Sequence, residues 1–89
     1  MTSNSKIDEI LTIAQEECGE FVQVVSKIRR FGSGPENMKR LTQEAGDIFC
    51  MIELMLEYGI ITGESLTEAK QAKREKLKIW SSIFKEEVL

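Results

Sequence analysis

Glu16-Glu17-Cys18-Gly19-Glu20 and Glu44-Ala45-Gly46-Asp47 are the two stretches whose reading decides the fold of this 89-residue chain. A helix turns about 100° per residue, so residues three, four, seven and eleven apart share a face. In the first stretch, Ile7, Ile10, Leu11, Ala14, Cys18, Phe21, Val22 and Val25 form the main apolar stripe, with Ile13, Glu17, Glu20 and Val24 in a line beside it. In the second, the stripe is Met38, Leu41, Ala45, Ile48, Ile52 and Met55, and the flanking line is Glu44, Asp47, Met51, Leu54 and Tyr58. Each helix therefore presents an i, i+3 pair of acids inside an otherwise apolar row. If the two rows meet, four carboxylates converge.

Four carboxylates with no lysine or arginine among them repel one another, and in a poorly solvated site some must take up protons or share a cation. The chain has no histidine. An all-oxygen donor set suits Mg²⁺, or Mn²⁺ in its place, better than zinc, which favours nitrogen and sulfur. A solvated acidic face is the plain alternative for any single Glu-x-x-Glu. Two such pairs, each set in an apolar line, argue for a metal site formed by Glu17, Glu20, Glu44 and Asp47.

The pattern Glu16-Glu17-x-x-Glu20, then Glu44-x-x-Asp47 after an intervening linker, resembles the MazG-like all-α nucleoside triphosphate pyrophosphohydrolases. This superfamily also holds dimeric dUTPases, dCTP pyrophosphatases and phosphoribosyl-ATP pyrophosphohydrolases. The likeness spans nearly the whole chain and includes Lys73, Lys76 and Lys78 ahead of Trp80. It implies Mg²⁺-dependent hydrolysis of a nucleoside triphosphate to the monophosphate and pyrophosphate. It also implies that Glu16 orients or deprotonates the attacking water or shares a second metal. Lys73 and Lys76 are candidates to touch substrate phosphates; the plainer reading is that they snorkel from a helical seam.

Length and composition bound the rest. Residues 1–89 are expected to be one domain, and a chain this short gains from association with further copies. A single proline and abundant glutamate, lysine, leucine and isoleucine favour helix. A net charge of −3 speaks against nucleic acid as the main partner. No apolar run approaches a membrane span and the polar N-terminus is unlike a signal peptide, so no membrane is expected and the cytoplasm is the default location. Cys18 and Cys50 are expected to sit in the core as small hydrophobes rather than in a disulfide.

In chain order, residues 1–4 read as a tail and Ser5-x-x-Asp8 resembles a capping box, which predicts a first helix over 6–30. Gly19 could admit a close backbone. Residues 31–35, Phe-Gly-Ser-Gly-Pro, form the clearest loop and lack the downstream Lys-Ser/Thr of a phosphate-cradling loop. Arg29 and Arg30 before it suit a helix C-terminus. A second helix is expected from residue 35 or 36 to 57 or 58, stopped by Gly59. Only Glu53 is polar between residues 48 and 56, so this helix needs burial on more than one side. Ser65-x-x-Glu68 predicts a capping box opening a third helix over 65–84, with the stripe Leu66, Ala69, Leu77, Trp80 and Phe84. The expected architecture is an all-α antiparallel bundle of three main helices, completed as a homodimer or homotetramer. The competing functional reading is a non-enzymatic helical dimerisation or interaction module whose acids are mere surface.

Overall fold

A computed structural model describes residues 5–86, and these form three α-helices: α1 (Ser5–Phe31), α2 (Pro35–Glu57) and α3 (Gly63–Trp80). Among the described residues there is no strand. The expected loose N-terminal tail lies outside them. Ser5 is already helical, so it opens α1 rather than standing before it as a cap. The basic pair Arg29 and Arg30 occupies the last turn of α1, where positive charge complements the orphaned carbonyls.

The turn between α1 and α2 is short and built on glycine. Gly32 has φ +97°, a conformation that side-chain-bearing residues rarely adopt, and its N–H donates to the carbonyl of Ile28 at 2.8 Å. Asn37 Nδ2 reaches back to the Gly32 carbonyl at 3.0 Å. Gly34 then precedes Pro35 at the start of α2, where a missing N–H costs nothing. With so short a connection α1 and α2 run antiparallel and pack along their length, the one extensive helix–helix contact among the described residues.

At the far end of α2 the chain stops as anticipated. Gly59 has φ +70°, its N–H donates to Leu56 O at 3.1 Å, and Ile60 N–H donates to Met55 O at 2.8 Å. This is the paired hydrogen-bond pattern of a Schellman C-cap. The opening of α3 differs from expectation. Thr62, not Ser65, is the cap: its hydroxyl accepts from Ser65 N–H at 3.1 Å, and the helix begins at Gly63. Its end differs too. Ser81 turns extended and accepts Ile83 N–H on its hydroxyl at 3.1 Å, so the helix stops at Trp80 and Phe84 lies beyond it.

The packing also redraws the core. Ile10, Val24 and Met51 are the buried apolar residues. Ile10 belongs to the predicted stripe, but Val24 and Met51 belong to the flanking rows that carry the acids. The seam of the hairpin is therefore the acid-bearing line, and the more apolar stripes fall to one side of it. Cys18 and Cys50, expected inside, are both exposed thiols. Val22 is 62% exposed and Phe49 66%. Gly19 faces open space, so no backbone approaches it within the chain.

Of the expected bundle, the chain itself closes only the α1–α2 pair. The molecule measures 54 × 31 × 17 Å with a radius of gyration of 16.4 Å, against about 12 Å for a compact domain of this length. The 27 residues of α1 span about 40 Å, so the longest dimension requires α3 to project past the hairpin. An accessible surface of 7415 Å² compares with roughly 5,300 Å² for a compact monomer of this mass.

Two substitutions test this description by chemical denaturation. Val24→Ala should lower stability by about 2 kcal/mol, because it removes buried methyl groups from the tightest point of the seam. Ile79→Ser, at a position 72% exposed on α3, should change it by less than about 0.5 kcal/mol. Equal effects would mean that the seam is not the core.

Candidate metal centre

The hairpin seam brings Glu17 and Glu20 of α1 to Glu44 and Asp47 of α2. One oxygen from each of the four carboxylates lies within 4.8 Å of the others. Both pairs are i, i+3 on their helices, and the antiparallel register places the four opposite one another. The register is pinned elsewhere by Val24 near the turn and by Lys6, whose ammonium lies 5.9 Å from the centre of the Tyr58 ring at the open end.

The site is electrostatically unhappy by itself. Glu17 and Glu44 are half-buried, while Glu20 and Asp47 are exposed. Glu17 Oε2 and Glu44 Oε2 are both buried atoms with no hydrogen-bond partner. Burial, then repulsion from Glu20, Asp47 and Glu44, pushes the Glu17 carboxyl up to about 7. Glu44 is raised by burial first and then by Glu20, with a weaker pull downward from Arg40. Arg40 lies one turn before Glu44 on α2, and its i, i+4 spacing is the signal that sequence reading passed over. It opposes the repulsion without cancelling it.

These features fit a hard divalent cation. The donors are all oxygen, the charge is in excess, and two of the oxygens are buried with no hydrogen-bond partner. Glu17, Glu20, Glu44 and Asp47 are the residues that would hold it.

The other predicted residues are not in the cluster. Glu16 is exposed on α1, about 100° around the helix from Glu17, at the rim rather than in the seam. Lys73 and Lys76 are exposed on α3 and stand apart, because α3 does not pack along the hairpin. One further feature was not anticipated: a cleft of about 290 Å³ on the same seam, lined by Lys6, Glu9, Ile10, Ile13, Met51, Leu54 and Tyr58. Ile13 and Met51 each sit one turn from an acid of the cluster, so cleft and cluster adjoin.

No protein-family model, curated protein or solved structure matches this chain.

The raised carboxyl gives a pH signature. Between the ordinary 4.5 and about 7, the folded protein keeps a proton on Glu17 that the unfolded chain releases. The associated stability is complete below 4.5 and is lost as pH rises through 7. In the presence of a chelator, Tm should fall across that window. Mn²⁺ should remove most of the fall, since it replaces the proton, and should bind more tightly as pH rises. Glu17→Gln should flatten the chelated profile. The same profile in wild type and Glu17→Gln would show that this carboxyl is not strained.

Proposed function

We propose that this chain is a Mg²⁺-dependent nucleoside triphosphate pyrophosphohydrolase of MazG-like type, releasing the nucleoside monophosphate and pyrophosphate. The observation that carries the reading is the pair of unpartnered, buried carboxylate oxygens, Glu17 Oε2 and Glu44 Oε2, within a four-carboxylate cluster. An interaction module gains nothing from interrupting its seam with mutually repelling acids. A site for a cation that in turn gathers phosphates accounts for that arrangement.

A bound divalent cation supplies positive charge to the phosphoryl oxygens and the pyrophosphate leaving group, and it acidifies water. The chain's own residues do the rest. Glu17, Glu20, Glu44 and Asp47 fix the ion in the seam. Glu16, exposed at the rim one residue from Glu17, orients the attacking water and takes its proton; with no histidine in the chain, a carboxylate is the base at hand. The apolar cleft beside the cluster accommodates the nucleoside, with Tyr58 offering a ring face. Lys73 and Lys76 neutralise the outer phosphates. The working form is an assembly of copies, a dimer or tetramer, which covers the apolar stripes that a single hairpin leaves open. Among the described residues no helix is long and apolar enough to cross a membrane, and we assign the activity to the cytoplasm, where its substrates are.

The test pairs a panel of ribo- and deoxyribonucleoside triphosphates, followed by pyrophosphate release, with calorimetric Mn²⁺ titration. Asp47→Asn and Glu20→Gln should each lower Mn²⁺ affinity by at least about 10–100-fold, the loss usual for an outer-shell partner alone. Turnover should fall with it, while the metal-free variants become more stable because a repelling charge has gone. Glu16→Gln should behave differently, keeping metal affinity while turnover drops ~10²–10⁴-fold. Equal Mn²⁺ affinity in wild type and Asp47→Asn would defeat the site; no hydrolysis of any triphosphate would defeat the activity.

A further inference from the structure

Charge on the hairpin is sorted along its length. Between Glu20 and Glu44, residues 21–43 carry five cations (Lys27, Arg29, Arg30, Lys39 and Arg40) and one acid, Glu36. Glu36 stands in the first turn of α2, where its charge complements the helix dipole. At the open end the balance is reversed: residues 5–16 and 48–58 set Lys6 against Asp8, Glu9, Glu16, Glu53 and Glu57. The carboxylate cluster lies between the two ends, and the apolar cleft adjoins it on the open side. Charge on α3 is sorted by face instead. Lys70, Lys73 and Lys76 share one side with Leu66, Leu77 and Trp80, opposite Glu64, Glu68 and Glu75. That lysine row does not reach the seam, because α3 does not pack along the hairpin.

Three of the cations at the turn share the cluster's side of the hairpin. On α1, Lys27 follows Glu20 by seven residues and Glu9 by eighteen, both close to whole numbers of turns, so the three stand in one row. About 10 Å along the axis separates Glu20 from Lys27, a gap that a lysine side chain and linked phosphates bridge. On α2, Arg40 lies one turn before Glu44 and draws its carboxyl downward. Lys39 flanks Arg40 on the side away from the apolar stripe. Lys27, Lys39 and Arg40 make no ion pair among the described residues. Arg29 differs: it falls about 200° round α1 from Lys27, toward the apolar stripe.

We infer that the seam is a directional polyphosphate site: Lys27, Lys39 and Arg40 hold the pyrophosphate end of the triphosphate on the turn side of the cluster, and the nucleoside end points to the open-end cleft. The reverse orientation brings the outer phosphates among Glu9, Glu53 and Glu57, where Lys6 is the sole cation and already lies over the Tyr58 ring. Like charge on both sides disfavours it. The direction is thus set within the hairpin, whatever charge α3 adds. This rests on the proposed phosphate chemistry, but the anion subsite has a readout without catalysis.

The experiment titrates inorganic pyrophosphate into the full chain by calorimetry, with and without Mn²⁺. Lys27→Gln combined with Lys39→Gln and Arg40→Gln should lower pyrophosphate affinity at least about tenfold, the weight of a single charged hydrogen bond. Deoxynucleoside monophosphates, which lack the outer phosphates, should bind this triple variant as they bind wild type. Among single variants, Lys27→Gln should weaken pyrophosphate binding, while Arg29→Gln removes the same charge from the other face and should leave it unchanged. Equal losses in Lys27→Gln and Arg29→Gln mean a diffuse field rather than a site and overturn the inference. Monophosphate affinity that falls in step with pyrophosphate affinity overturns it too, as does a wild type that binds pyrophosphate neither with nor without Mn²⁺. In turnover, the triple variant should raise KM for triphosphates. If wild type hydrolyses no triphosphate, the enzymatic reading falls while the pyrophosphate titration still decides the subsite.

Discussion

Like-charge repulsion inside the α1–α2 seam is the constraint from which the rest follows. Helices pair because apolar rows exclude water, and here the row itself contains Glu17, Glu20, Glu44 and Asp47 within 4.8 Å of one another. The apolar contacts on either side, Ile10 and Met51 toward the open end and Val24 toward the turn, hold the acids together against their preference. A seam this short cannot spread the strain, so a proton at Glu17 is the remedy available to the chain by itself, and a cation is the stronger one. Stability and site are thus in opposition, as is common where function requires charge to be concentrated.

The same division explains why so much of the chain stays uncovered. The widest apolar stripes are not consumed by the hairpin, and Val22, Phe49, Ile79, Trp80 and Ile83 all stand open. A single 89-residue chain has too little bulk to enclose both faces of a two-helix layer. The accessible surface exceeds that of a compact monomer by an amount on the order of what one subunit buries in an obligate interface. The cluster lies between the two unfinished faces, with apolar side chains on one hand and the acids of Glu9 and Glu16 on the other.

The helices and their ends were largely legible before the structure, because the cues are local. Gly59 in the left-handed region and Pro35 at the start of α2 are backbone requirements that need no tertiary knowledge. The meeting of the four acids was legible too, since i, i+3 spacing on two antiparallel helices leaves few alternatives. What periodicity misjudged was which row would be inside. Hydrophobicity ranks the Leu11–Cys18–Val22 row above the Glu17–Val24 row, and in a self-sufficient domain the richer row is core; here the poorer one forms the seam and Cys18 is exposed. The far end of α3 was missed because apolar spacing continues to Phe84 while the hydroxyl of Ser81 captures the Ile83 amide and ends the helix. Arg40 lies outside both acidic motifs, one turn before Glu44, so their spacing gives no sign that its charge reaches the cluster.

The Gly59 cap has a consequence of a different kind. With two hydrogen bonds closing the end of α2 and Thr62 opening α3 three residues later, the junction behaves as a phase setting rather than a hinge. Each residue added or removed there turns α3 by about 100° about its own axis. A single insertion would turn the lysine row aside and put the uncharged strip of Ser65, Ala72 and Ile79 in its place. The turn is therefore under a length constraint that its solvent exposure conceals. Variation in this segment is compatible with the charge sorting of α3 only in steps close to a whole helical turn, and a sequence change touching none of the charged residues can still redirect what they face.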